Sequence, residues 1–166
     1  MAPAGRFWAR SFLPRLPRSD LAVIRLDKAH LDLIRAEAER AWPAECCGIL
    51  VGCRDAGGAV LVTSVHPAPN LMASEREDRF EIDPRSRLQV MRQAEAEGLE
   101  MVGHYHSHPN GREEPSPSDL AMAHEPDLIW MIAPVSAGRA GQPRAFRVKA
   151  DGTGFEIEAL EAPQAL

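Results

Sequence analysis

Apolar positions along this chain keep two periods in turn, and the switches between them mark its elements. Residues "LAVIRL" (21–26) form a short β-prone run. After Asp27 the segment "KAHLDLIRAEAERAW" repeats Leu31, Ile34, Ala38 and Ala41 at spacings of three, four and three. That single stripe predicts an amphipathic helix, capped by Asp27 and ended by Pro43. "CCGILVGC" (46–53) reads as a buried strand, "RDAGG" (54–58) as a turn and "AVLVTSVH" (59–66) as its antiparallel partner. Residues 67–82 read as loop. Asp83 and Pro84 then look like an N-cap and first helical residue, with Leu88, Met91 and Ala94 inward and Gly98 as the stop. "LEMVGHYHSH" (99–108) is a strand that starts apolar and ends polar, and a short helix follows from near Pro117 to before Pro126. "LIWMIAP" (128–134) is continuously apolar and so a central strand. "PRAFRVKA" and "GFEIEAL", joined through Asp151-Gly152, make a last hairpin. The pattern predicts an α/β fold, a single-domain mixed β-sheet flanked by helices, with no internal repeat or linker. The domain is expected over 21–161, between a basic N-terminal extension (1–20) and a short C-terminal tail (162–166).

Composition narrows the possibilities. A chain of 166 residues suits one domain with a sizeable core. Hydrophobic residues at 45% and charged residues at 26% give the balance of a soluble globular protein. Nineteen Lys and Arg against 24 Asp and Glu leave a net charge of −5, which argues against a nucleic-acid binder. No apolar run approaches the roughly 18 residues that span a bilayer, so no membrane partner is expected. The first twenty residues carry Arg6, Arg10, Arg15 and Arg18, and these with the prolines interrupt the unbroken apolar stretch of a secretory signal. Cys46, Cys47 and Cys53 crowd into one short stretch, and adjacent cysteines do not form an ordinary bridge. A reducing cytoplasm fits better than a disulfide scaffold.

The stretch "HYHSHPNGREEPSPSDL" (104–120) carries the chemistry. On a strand His106 and His108 point the same way, with Cα atoms about 6.5–7 Å apart. Two imidazoles at that spacing can lean onto one ion, and Asp119, in the first turn of the next helix, can supply a third ligand. Three protein ligands and an open fourth position make the arrangement of a catalytic zinc. The same residues also suit a plainer role: Ser116-Pro117-Ser118-Asp119 reads as a serine N-cap with proline at N1 and an acid at N3. His104 shares the face of the pair, but the outer Cα atoms of three alternate histidines lie about 13 Å apart, too far to close around one ion. It is read as a core-side or supporting residue. Glu45, in "WPAECCGIL", is available to carry a proton beside a metal, although a glutamate after a helix-ending proline is more often a solvated surface residue.

Together these pieces resemble the JAMM motif of the MPN metalloprotease family. A glutamate precedes a buried "CCGILVG" strand; then come "HSH", seven residues, Ser116, two residues and Asp119. "GHYHSHP", "PSPSD" and the upstream "NLMASEREDRFEIDP" are similar to the family beyond the ligands, and the likeness spans roughly residues 21–135. The resemblance implies an MPN fold of cytidine-deaminase-like architecture and one catalytic Zn2+ held by His106, His108 and Asp119. It further implies Glu45 as general base and acid, and Ser116 as hydrogen-bond donor to the oxyanion. His104 departs from the pattern, since an aromatic or apolar residue is more familiar there. Cys47 shares a parity with Glu45 and so can lie near the metal.

With only eight residues between Asp119 and Leu128, the chain lacks room for the insertions of ubiquitin-processing members and resembles the compact prokaryotic, Mec-like branch. That implies a zinc metallopeptidase or isopeptidase acting after the Gly-Gly tail of a ubiquitin-like or sulfur-carrier protein. Such a tail can be bound by strand addition in a narrow groove. A non-catalytic MPN scaffold is the alternative, and such members typically lose ligands of the motif. A zinc deaminase is disfavoured because its HxE and PCxxC signature is absent.

Overall fold

The computed structural model describes residues 23–162; the expected basic extension (1–20) and residues 163–166 of the expected tail lie outside them. The elements run β1 (Val23–Arg25), α1 (Lys28–Ala41), β2 (Cys47–Arg54), β3 (Val60–Ala68), α2 (Pro84–Ala96), β4 (Glu100–His108), α3 (Pro117–Met122), β5 (Ile129–Ser136), β6 (Arg139–Ala140), β7 (Arg144–Val148) and β8 (Phe155–Glu161). The mixed sheet flanked by helices is the architecture the pattern predicts. Among the described residues no helix is long and apolar enough to cross a membrane.

The strands form one sheet in the order β4-β2-β3-β1-β8-β7-β5-β6, and β4 also pairs with β5, so the sheet closes on itself. β2 and β3 form the expected antiparallel hairpin, as do β7 and β8. The parallel pairs are β1 with β3, β1 with β8 and β4 with β5. β5 is central, flanked by β4 on one side and β7 on the other. β6 is not anticipated by the sequence pattern. Ala137 and Gly138 both adopt positive φ (50° and 74°), the geometry of a two-residue hairpin turn, but Ala-Gly is not the Asn-Gly or Asp-Gly that announces one.

One face of the sheet packs on α1. Leu31, Ile34 and Ala38 join Ile24, Leu50, Val62, Tyr105 and Met131 in the largest core cluster. The opposite face carries α2 over Ile49, Val51 and Met101. The helix presents Ala94 with partly buried Val90 and Met91. Leu88, expected inward, is 49% exposed, because the stripe that meets the sheet runs through Val90, Met91 and Ala94, rotated around the helix axis away from Leu88. Asp83 caps α2 as expected, its carboxylate accepting from the Arg85 N–H at 3.0 Å.

An irregularity in β4 decides which face its histidines take. Pairing with β2 slips between Leu50 and Val51, so that Leu50 faces Gly103 and Val51 faces Met101. Val102 is the extra residue of a bulge. Beyond it Tyr105 sits in the α1-side core, whereas His104 and His106 pack with Trp130 on the other face. Two glycines permit the close approach: a Cβ on Gly48 would lie 2.2 Å from the Tyr105 ring, and one on Gly103 2.4 Å from the Ile129 carbonyl oxygen.

Candidate metal centre

His106 and His108 stand at the C-terminal end of β4, both buried, and Asp119 is buried in the first turn of α3. Their donor atoms converge. The two Nε2 atoms are 3.0 Å apart, His106 Nε2 lies 3.3 Å from Asp119 Oδ1, and His108 Nε2 lies 3.3 Å from Asp119 Oδ2. Two ligands on a tetrahedral zinc at about 2.05 Å are roughly 3.3 Å apart, so these spacings fit one ion. Two imidazole nitrogens and a carboxylate oxygen are also a donor set that zinc accepts. His108 Nδ1 lies 3.2 Å from the Arg112 carbonyl. A carbonyl only accepts, so Nδ1 carries the hydrogen of that bond, which leaves Nε2 to face a metal.

The serine-cap reading and the ligand reading involve the same contacts. Ser116 Oγ accepts from the Asp119 N–H at 3.2 Å and donates to Asp119 Oδ2 at 2.7 Å, while the Ser116 N–H donates to the same oxygen at 2.5 Å. This capping box aims the carboxylate at the histidines. Burial opposes ionisation of Asp119. The adjacent His106 and His108 rings, and then Ser116, outweigh it and hold the carboxyl well below the usual range. Burial likewise pushes the His106 pKa down, keeping its ring neutral.

Glu45 lies just before β2, where Cys47 pairs with His106 and Ser107 N–H donates to the Cys46 carbonyl at 3.1 Å. Continuing that antiparallel register sets Glu45 across from His108. It is buried, not the solvated residue its position after Pro43 suggested. Burial first, then the charges of Asp119 and Asp78, push its pKa up to about 8, against the pull of Arg79. A carboxyl whose affinity for a proton sits near neutrality suits proton transfer, and a dication beside it would draw that value back down.

His104 is buried on the same face but outside the convergent group, which among the described residues comprises His106, His108 and Asp119. Its ring meets Trp130 edge-on with centroids 4.2 Å apart, and burial lowers its pKa to about 3. Cys47 is also buried there, its Sγ 3.7 Å from the Ala68 and Pro69 carbonyls rather than in the donor group. Sequence reasoning passed over Phe80, whose ring stacks on His106 at 4.3 Å and 17°. The available signal was an aromatic in an otherwise polar loop, "SEREDRFEIDP". Two clefts flank the centre. One of about 260 Å3 is lined by Phe80, His104, Met122 and Trp130, and one of about 580 Å3 by Ser116, Leu120, Phe146, Phe155 and Ile157.

Residues 27–149 match the family described as prokaryotic homologs of the JAB domain. The chain is 33% identical over 124 residues to a probable TtuB-protein conjugate cleaving protease of Thermus thermophilus, covering 75% of each protein. It is 38% identical over 90 residues to the desampylase of Haloferax volcanii, covering 54% of this chain and 62% of that one. A desampylase of Pyrococcus furiosus matches at 36% over 88 residues, covering 53% of this chain and 58% of the relative. The matches thus span about three fifths of each desampylase. Among solved structures, a protein from Desulfitobacterium hafniense superposes with TM-score 0.73 at 30% identity, covering 86% of this chain and 94% of that one. One from Salinibacter ruber superposes with TM-score 0.65 at 32% identity, covering 84% and 90%. Motif, closed mixed sheet and match over most of the length agree: this chain belongs to the JAB/MPN family, in its compact prokaryotic branch.

Proposed function

We propose that this protein is a zinc-dependent peptidase or isopeptidase that hydrolyses the bond after the Gly-Gly tail of a ubiquitin-like or sulfur-carrier protein. The observation that carries the reading is the convergence of His106, His108 and Asp119 at the spacing of one ion's ligands, with buried Glu45 just ahead of the adjacent strand β2. Relatives named as desampylases and as a probable conjugate-cleaving protease support the reaction class and the kind of substrate.

His106, His108 and Asp119 would hold the ion, which when bound supplies Lewis acidity toward a carbonyl and acidifies water. Glu45 accepts the proton of the attacking water and returns it to the departing amine. The Ser116 hydroxyl is the proposed donor to the oxyanion. Its hydrogen is directed at Asp119 Oδ2 before substrate arrives, so it changes acceptor during the reaction. Clefts on both sides of the centre give an extended tail and its leaving group space to lie.

The test is incubation with sulfur-carrier fusions, read by intact mass, with and without a chelator. Cleavage after the Gly-Gly tail is expected, lost with chelator and restored by zinc. Full zinc occupancy without hydrolysis of any tailed carrier would instead mark a non-catalytic scaffold.

A further inference from the structure

Asn70, on the loop between β3 and α2, uses every hydrogen-bonding valence of its carboxamide on main-chain groups. Nδ2 donates to the Glu45 carbonyl at 2.9 Å and to the Arg79 carbonyl at 3.0 Å. Oδ1 accepts from the Met72 N–H at 2.9 Å and from the Glu81 N–H at 3.0 Å. Two donors and two acceptors are all an asparagine has. The amide therefore ties three chain segments at one point: the residue ahead of β2, the start of the loop and its end.

The two segments it joins meet the candidate centre from different sides. Arg79 and Glu81 flank Phe80, which stacks on His106. Glu45 falls across from His108 when the β2–β4 register is continued past Cys47. The neck of the loop is closed independently by the Asn70–Ile82 bridge and by the Leu71 N–H donating to the Glu81 carbonyl at 2.9 Å. Closure of the loop thus does not need the bond to Glu45; that bond joins the closed loop to the residue whose carboxyl is proposed to move the proton.

We propose that Asn70 is a positioning residue: it fixes the main chain of Glu45 relative to the Phe80–His106 stack, and so holds the Glu45 carboxyl where water is activated. This rests on the hydrolase reading above. No other side chain of that size substitutes. Aspartate keeps both acceptors but has no donor, and sets a carboxylate oxygen against the Glu45 and Arg79 carbonyls. Alanine removes all four bonds.

The test uses the zinc-loaded full chain with a carrier–peptide fusion as substrate, comparing wild type, Glu45→Gln, Asn70→Asp and Asn70→Ala. Zinc content, thermal melting, kcat and KM are measured on the same preparations, with kcat expressed per folded, zinc-bearing molecule. Misplacing a reacting group by about 1 Å can slow a reaction about a hundredfold. Asn70→Asp is therefore expected to keep its zinc and its KM while kcat falls about tenfold to a hundredfold. A residue that only stapled the loop would lower the melting temperature and leave kcat per folded molecule unchanged. Unchanged kcat in both Asn70 variants, or a change confined to KM, overturns the assignment. Asn70→Ser carries the same comparison should Asn70→Asp fail to fold. Absence of cleavage by the wild type, or full activity in Glu45→Gln, is a failure of the underlying hydrolase reading and takes this assignment with it.

Discussion

Ser116 and Asp119 exchange three hydrogen bonds, and through them a structural motif and a chemical one share the same atoms. Removing the hydroxyl touches both. Ser116→Ala is expected to lower stability by about 1 kcal/mol, the usual loss on removing a serine cap, measured by urea unfolding. It also frees Asp119 to rotate away from the histidines. Zinc affinity is then expected to fall about 10–100-fold in a competition titration, as when an orienting partner of a ligand is lost. Loss of stability with unchanged zinc affinity would confine Ser116 to the cap. Glu45 differs in kind, because it lies outside the donor group. Glu45→Gln is expected to keep one zinc per chain while cleavage falls about 10²–10⁴-fold, the range for losing a general base. Full activity in that variant would remove Glu45 from the mechanism.

At the level of elements, β4 governs the site. Its bulge at Val102 and its tight approach to β5 at Gly103 set which way three histidines point. A methyl group at Gly103 meets the Ile129 backbone, which cannot swing aside as a flexible side chain would. Gly103→Ala is therefore expected to destabilise by about 1–3 kcal/mol and to weaken zinc binding by moving the strand that carries two ligands. Gly57→Ala is the control: the nearest atom to its Cβ is 3.4 Å away, so stability should stay within about 0.5 kcal/mol. Equal effects at both glycines, read by urea unfolding, would show that strand spacing is not the cause.

Across the whole molecule, the candidate centre joins elements that local structure leaves separate. A metal bound by His106, His108 and Asp119 cross-links β4 to α3, and binding to the folded state alone stabilises it by mass action. Free zinc at about 100 times its dissociation constant is expected to add about 2.7 kcal/mol. The midpoint of thermal unfolding should rise accordingly and return on chelation. His106→Ala is expected to abolish that response. A zinc-dependent shift that survives in this variant would locate the ion elsewhere.

The sequence by itself determined the local features. The stripe of α1, the Asp83-Pro84 start of α2, the alternation of 104, 106 and 108 and the Ser116 cap depend on helical period, strand period and cap chemistry within a few residues. Leu88 shows the limit of that logic, since period alone does not say which part of an amphipathic surface meets the sheet. Tertiary structure decided the remainder. Pairing β4 with β5 closes the sheet, the Val102 bulge sets the histidines' face, and the β2–β4 register buries Glu45 beside them. The same long-range packing lays Phe80 on His106 and threads Asn70 between three chain segments. Each is a contact between residues far apart in the chain, specified by how whole surfaces fit, and no window of neighbouring residues contains it.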